Sequence, residues 1–292
     1  MNMAEALYLK EPMARHVSWR AGGCADRFFV PKDIADLSRF LKTLMPQERL
    51  LFVGLGSNLL VRDGGFRGTV ILMHQPKLVP EMREGLVYAQ AGVASPKVAR
   101  LAALNHLAGA EFMAGIPGTV GGALAMNAGC YGSETWDIVA RAVTIDRAGE
   151  LHERHKSEFA IAYRQCASPQ EEWFVGAYFG LQAGDGEASR ARIKEFLARR
   201  IATQPLQLPN AGSVFRNPPG EHAARLIELC GLKGLQRGGA RVSEKHANFI
   251  VNPDGAASAA DIEWLIHEVK RVVAKEHGVL LVPEVRIVGE PA

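Results

Sequence analysis

Apolar side chains recur along this chain at two spacings, and those spacings divide it into helices and short strands. Ile34, Leu37, Leu41 and Leu44 form one stripe within residues 32–44, which predicts a helix. Leu50–Val53 reads as a buried strand ending at Gly54, Leu59–Val61 as another, and residues 69–73 as a third beyond the turn Asp63-Gly64-Gly65. Ser95 as N-cap, Pro96 at the first helical position and Gly109 past the end bracket a second helix, with Val98 and Leu101 marking its turns. Residues 139–145 and 173–181 alternate or run apolar as strands do, with turns around Ala148-Gly149 and Pro169. A basic helix over 188–203 is stopped by Pro205, and one over 221–230 is capped by Gly231. Ser258-x-x-Asp261 opens a longer helix with Ile262, Leu265, Ile266, Val269, Val272 and Val273 on its apolar face and Gly278 at its end. Residues 279–282, Pro283 and 284–288 read as a terminal strand pair or one bent strand, with Glu284 and Arg286 on one face. The result is an α+β chain with short strands.

A glycine-containing break at residues 184–186 marks the main domain boundary, and no internal repeat or low-complexity linker is seen. With 292 residues, 48% hydrophobic and 22% charged, the chain has length for two or three domains and excludes a disordered or collagenous protein. Cys24, Cys130, Cys166 and Cys230 show no C-x-x-C spacing, so neither a zinc site nor a disulfide framework is expected. A cytoplasmic location fits that usage, as does the lack of Lys or Arg ahead of an apolar run in residues 1–7. Residues 112–133 carry no charge, yet Pro117 and six glycines exclude a membrane span. His152 and His155 sit beside Arg154 and Lys156 and suggest an exposed strand, so no metal is expected.

Net charge is only +3, but it is unevenly placed. Between Arg190 and Lys245 there are eleven Lys or Arg against four Glu, which suits an anionic ligand such as a phosphorylated small molecule. Phe196 and Phe215 are the aromatic residues there, too few for the stacking platforms of a nucleic-acid surface, and nucleic acid is not expected.

Two glycine segments carry the candidate chemistry. In Gly54-Leu55-Gly56-Ser57-Asn58-Leu59 the glycines allow either an ordinary tight turn or a nest of N–H groups for phosphate. Leu59 stands where a helical dinucleotide fingerprint needs its third glycine, and no Gly-Lys-Ser/Thr follows. The run Gly115-Ile116-Pro117-Gly118-Thr119-Val120-Gly121-Gly122, continuing to Asn127-Ala128-Gly129, suggests that something approaches the backbone closely. A long diphosphate-bearing cofactor held by main-chain groups suits both segments.

Together with Tyr163-Arg164, Gly212-Ser213-Val214-Phe215-Arg216-Asn217-Pro218 and Pro283-Glu284-Val285, these motifs resemble the UDP-N-acetylenolpyruvoylglucosamine reductase family in order over residues 18–289. Without a long insertion after Tyr178, the chain is similar to the shorter class, which lacks an extra tyrosine-bearing loop. The resemblance implies an FAD-binding pair of α+β subdomains of the vanillyl-alcohol-oxidase type, at 1–80 and 81–186, followed by a smaller α+β substrate domain at 187–292. It also implies non-covalent FAD reduced by NADPH, a UDP-sugar substrate and a monomer without membrane insertion. Hydride would pass to the terminal vinyl carbon of the enolpyruvyl group, and a proton to the adjacent carbon. Cofactor contacts fall on Gly54, Gly56, Ser57, Asn58, Leu59, Gly115, Pro117, Gly118, Thr119, Gly121, Gly122 and Asn127, and substrate contacts on Arg216 and Asn217.

By the same resemblance Arg164 and Glu284 stabilise negative charge developing on the substrate, and Ser213 donates the proton. Local sequence alone suggests blander roles: a surface ion pair for Arg164, a solvated edge position for Glu284 and a turn serine at Ser213. His16-Val17 replaces the family's common Asn-Thr, and Arg216 its frequent Lys. Cys130 beside the second glycine run is read as a buried thiol, not a flavin link. Two other functions compete: a flavin oxidase or dehydrogenase of different substrate, and a nucleotide-diphosphate binding module with no redox role.

Overall fold

The computed structural model describes residues 7–292, so the reading of the N-terminus lies, for residues 1–6, outside it. The α-helices among the described residues are α1 (Ile34–Leu41), α2 (Ser95–Leu104), α3 (Val120–Ala125), α4 (Thr135–Ile138), α5 (Gly186–Thr203), α6 (Ala223–Leu229) and α7 (Ala259–His277). Spatial contacts divide the chain into two units: one holds Leu7 and residues 29–54 and 71–200, the other residues 8–28, 55–70 and 201–292.

A five-stranded antiparallel sheet organises the first unit, in the order Leu151–His155, Val139–Asp146, Glu172–Phe179, Leu86–Gln90, Glu81–Arg83. Val143 faces Gly176, and Gly176 in turn faces Gln90, so the two strands expected from the apolar pattern are its centre. Leu86–Gln90 was not anticipated from sequence; with five residues it is too short to show its period. α2 and α3 bury Val98, Ala99, Val120 and Leu124 in the same core as Ala142 and Ala177. α1 starts where the Asp33 carboxylate accepts the Asp36 N–H, and it buries Leu37, Phe40 and Leu41 against Phe29, Ile145 and Val175. It stops short of Leu44 because Thr43 and Leu44 donate to Phe40 and Leu41, tightening the last turn to three-residue bonds.

Two expectations about α2 need correction. Ala94 is the N-cap, while Ser95 already lies inside the helix and donates its N–H to the Gly118 carbonyl at 3.0 Å. At the other end the helix closes at Asn105, and a strand, Leu107–Ala108, intervenes before Gly109.

In the second unit α7 follows its sequence signals closely. Ser258 and Asp261 form a reciprocal capping box, Gly278 ends the helix at φ 67°, and Ile262, Leu265, Ile266, Val269 and Val273 are fully packed. They close over a three-stranded sheet of Gln236–Arg237, Ala240–Val242 and Ile250–Val251. Trp19 is wholly buried in this core: its indole N–H donates to the Ile250 carbonyl at 2.7 Å, and its own carbonyl accepts from the Asn252 amide at 2.9 Å.

The C-terminus departs from the expected strand pair. Only Arg286–Val288 forms a strand, and it runs parallel to Leu59–Val61 with Arg286 opposite Leu59. Pro283 instead makes an isolated bridge to Phe215. Each half of the segment recruits a distant partner, which a local apolar pattern does not encode.

Candidate active site

In the first unit the second glycine run lies mostly against the chain itself. A Cβ at Gly115 would sit 2.8 Å from the Cys130 sulfur, one at Gly121 would sit 2.9 Å from the Ala91 Cβ, and one at Gly54 would collide with the Thr119 hydroxyl. Neighbouring segments of the chain already claim the side-chain space at these three, which is one reason for glycine there. Nor are the first N–H groups of α3 open. Val120 donates to Val93 at 2.8 Å, Gly121 to Ala91 at 2.9 Å, and Gly122 to the capping Thr119 hydroxyl at 3.5 Å. What remains toward solvent is Pro117 and Gly122, where a Cβ would meet nothing nearer than 3.8 Å.

Arg164 sits at the tip of a hairpin joining Ala160–Ala162 to Gln165–Ala167, with φ 56°. A left-handed residue in a tight turn is normally glycine, and holding an arginine there stores strain of the kind found at functional positions. Its side chain is only 16% exposed, so the surface ion-pair reading is wrong. The guanidinium donates to the Gly129 carbonyl at 2.7 Å and the Asn127 carbonyl at 3.4 Å, and lies 3.7 Å from the Glu134 carboxylate. Asn127, at φ 40°, donates its amide to Glu134 at 2.7 Å and to Ala162 at 3.2 Å, and accepts the Trp136 N–H. With its amide so engaged, Asn127 shapes the loop that carries Arg164. Burial pushes the Cys130 thiol up to about 11 despite the opposing fields of Arg200 and Arg164, so it is no nucleophile at neutral pH.

The second unit gathers Ser213, Glu284 and Asn58. Gly212 turns at φ 75°, with its N–H on the Asn210 side chain at 2.9 Å, and delivers Ser213 to the start of a short extended segment. Glu284 donates its N–H to the Val214 carbonyl at 2.8 Å, and Arg216 donates to the Val282 carbonyl at 2.9 Å, so the segment that follows Ser213 is paired with the one that bears Glu284. Asn58 donates its amide to the Glu284 carbonyl at 3.1 Å and accepts the Arg286 N–H on its own carbonyl at 3.0 Å. The first glycine turn is thereby tied to the segment bearing the carboxylate.

Gly56 holds φ 61° and has the His16 carbonyl where a Cβ would be, while Ser57 and Asn58 are half-buried and Leu59 is packed. His16 turns its ring to Glu11 at 2.9 Å and to Phe28, and Val17 is buried. Arg216 is half-buried, whereas Asn217 is exposed and accepts the first N–H of α6 at 3.1 Å. Much of the basic excess is used locally: Arg190 pairs with Glu187, Arg225 with Glu221 and Lys233 with Glu228, Arg237 lies over Trp264, and Lys245 donates to the Ile201 carbonyl. It is not one anion-facing strip.

Sequence reasoning assigned no role to Glu134 or Asn210, which stand two residues from Gly132 and Gly212, and marked Asn248 only as part of residues 242–252, which resemble the family and were expected to line the substrate domain. Among the described residues no three His, Cys, Asp or Glu side chains gather as metal ligands, and no helix is long and apolar enough to cross a membrane.

Known proteins carry the same plan. Residues 204–288 match the family described as UDP-N-acetylenolpyruvoylglucosamine reductase, C-terminal domain, and residues 25–154 match the FAD binding domain family. A UDP-N-acetylenolpyruvoylglucosamine reductase of Methylococcus capsulatus is 58% identical, covering 96% of this chain and 92% of that protein. Its counterpart in Thiobacillus denitrificans is 57% identical over 96% and 91%. The crystal structure of the Thermus caldophilus reductase superposes with a TM-score of 0.80 at 30% identity, covering 96% of this chain and 97% of that one. Near-complete coverage at such identity settles membership: the chain belongs to the UDP-N-acetylenolpyruvoylglucosamine reductase family.

Proposed function

We propose that this protein is an FAD-containing, NADPH-dependent oxidoreductase that reduces the enolpyruvyl group of UDP-N-acetylenolpyruvoylglucosamine to give UDP-N-acetylmuramate for peptidoglycan. What supports the reading is 57–58% identity to such reductases over 96% of the chain, together with the backbone pairing of the segment after Ser213 with the segment that bears Glu284, to which Asn58 of the first glycine turn also bonds. The enzyme acts in the cytoplasm as a monomer on two soluble nucleotides. Residues 1–80 and 81–186 are assigned to cofactor binding and 187–292 to the substrate, as stretches of sequence and not as the two spatial units, which divide the chain otherwise.

The residues fit FAD. Both glycine segments are uncharged and poor in side chains, and Pro117, Gly122, Leu55 and Ser57 keep part of that backbone open to a flat, diphosphate-bearing molecule. Gly54, Gly56, Ser57, Asn58, Leu59, Pro117, Gly118, Thr119 and Gly122 would hold it, with Gly115, Gly121 and Asn127 shaping the loops. Bound FAD supplies the electron exchange between NADPH and the vinyl carbon. In this reading Arg164 and Glu284 stabilise the negative charge that spreads from the neighbouring carbon onto the carboxylate, and the Ser213 hydroxyl gives up its proton to that carbon. A serine is a weak acid, but a carbanion is a stronger base, so the transfer runs in that direction.

An absorption spectrum tests the reading directly. Purified protein, or protein incubated with FAD, is expected to show flavin bands that NADPH bleaches and that UDP-N-acetylenolpyruvoylglucosamine restores. Absence of any flavin band would leave the non-redox nucleotide module, and bleaching without restoration would point to another substrate.

Arg216 is assigned to a phosphate or carboxylate of the sugar nucleotide. Arg216→Ala is expected to raise KM for the sugar nucleotide about tenfold or more with kcat little changed, because a ground-state contact affects binding first. A fall in kcat alone would move Arg216 into the chemistry.

A further inference from the structure

Val214, Phe215 and Arg216 form an extended segment whose two edges are held differently. Along one edge run Val282, Pro283 and Glu284, giving the two ladder bonds already described. Along the other edge Asn248 takes the place of a strand. Its backbone carbonyl accepts the Val214 N–H at 2.9 Å, its side-chain oxygen accepts the Phe215 N–H at 2.9 Å, and its amide nitrogen donates to the Phe215 carbonyl at 2.8 Å. Asn248 is 4% exposed and Phe215 2%, so water offers no substitute for these bonds. One residue thus satisfies three polar groups in the two residues that follow Ser213.

We infer that Asn248 is a positioning residue for proton delivery: its side-chain amide fixes the backbone of Phe215 and with it the placement of the Ser213 hydroxyl relative to Glu284. The inference rests on the reading of Ser213 as proton donor. A carboxamide of this length offers, at every pH, a donor and an acceptor to both groups of one peptide residue. Without it Phe215 keeps a buried N–H and C=O unpaired, and the segment shifts or rotates to find partners. A misplacement of about 1 Å at a reacting group slows chemistry on the order of 100-fold. Val214, Phe215 and Ala247 belong to the packed core of the second unit, so the Asn248 variants are checked for retained fold by their bound FAD.

Asn248→Asp provides the sharpest test, because a carboxyl group mimics the amide only when protonated. In that state its carbonyl accepts from Phe215 and its hydroxyl donates to the Phe215 carbonyl; once ionised it has only acceptors. The neighbouring titratable group is His246, whose Nδ1 lies 3.3 Å from the Asn248 N–H and which burial holds toward its neutral form. The wild-type holoenzyme at each pH controls for it.

In rapid-mixing experiments on the holoenzyme, reoxidation by saturating sugar nucleotide is expected to slow about 100-fold in Asn248→Asp at pH 8 and to recover about tenfold or more by pH 6. The same recovery is expected to be absent in Asn248→Ala. Reduction by NADPH should change less than about threefold in either variant, and hydrogen exchange of the Phe215 amide should accelerate in Asn248→Ala. Adding Asn248→Ala to Ser213→Ala should slow reoxidation no further, since placement is irrelevant once the acid is gone.

Additive losses in that double variant, or normal reoxidation in both single variants, would overturn the inference while leaving Ser213 as the donor. Fast reoxidation in Ser213→Ala alone would overturn both. Loss of FAD from both Asn248 variants would also overturn it, by making the amide a support of the whole fold.

Discussion

Ser213→Ala is expected to slow reoxidation of the reduced holoenzyme by UDP-N-acetylenolpyruvoylglucosamine about 100- to 10,000-fold, the range in which a positioned general acid contributes. Reduction by NADPH precedes any need for that proton and should proceed at nearly the wild-type rate. The variant also separates donation from charge stabilisation. If hydride transfer occurs without protonation, the substrate carbanion returns its hydride, and long incubation in D₂O places deuterium at the vinyl position, given exchange of the transferred hydrogen with solvent. Ser213→Cys should restore part of the rate, because a thiol is the better acid. The fold makes the test clean: Gly212 sets the turn, Val214 and Phe215 are held through their backbone, and neither role uses the hydroxyl. Near-normal reoxidation in Ser213→Ala would hand the proton to water or Glu284 and return Ser213 to a turn residue.

Where local chemistry decides, the sequence was readable. α7 could be placed to the residue at both ends because Ser258, Asp261 and Gly278 satisfy the groups that a helix leaves open. Residues 139–145 and 173–181 were legible because they alternate or run apolar as strands do, and strands were found at Val139–Asp146 and Glu172–Phe179. Where a distant segment decides, it was not. Ser95 reads as a cap, yet its N–H is taken by Gly118, from beyond the helix. Residues 279–288 read as a strand pair or one bent strand, yet they divide between Phe215 and Leu59–Val61.

The site divides along the same line. Gly115 and Gly121 carry the signature of close approach, but only the fold shows that Cys130 and Ala91 are what approaches. Motif residues Arg164, Ser213 and Glu284 were found by resemblance, whereas the groups that hold them, Glu134 and Asn248, act through contacts 30 or more positions away. A buried carboxamide reads in sequence as a turn former, because its partners are tertiary.

If Arg164 and Glu284 meet the substrate carbanion as proposed, loss of either charge should be nearly as damaging as loss of Ser213, the proposed proton donor. Replacing Arg164 or Glu284 by Ala is expected to lower turnover on the order of 100- to 1000-fold, the usual cost of removing one preorganised partner of a developing anion. FAD should stay bound, and NADPH oxidation in the first half-reaction should stay largely intact, because no substrate anion exists at that stage. Arg164 needs a second variant, since its guanidinium also ties the Asn127 and Gly129 carbonyls and its backbone sits at φ 56°. Arg164→Gly suits that φ better than Arg164→Ala does. If the two variants share the kinetic defect while the glycine form is the more heat-stable, the loss belongs to the missing charge and not to a distorted hairpin. Arg164→Lys should recover only part of the rate, because an ammonium keeps the charge without the planar fork that spans two carbonyls. A variant of either residue that no longer binds FAD would instead place that side chain among the supports of the cofactor, and the stabilising role would fall to its partner alone.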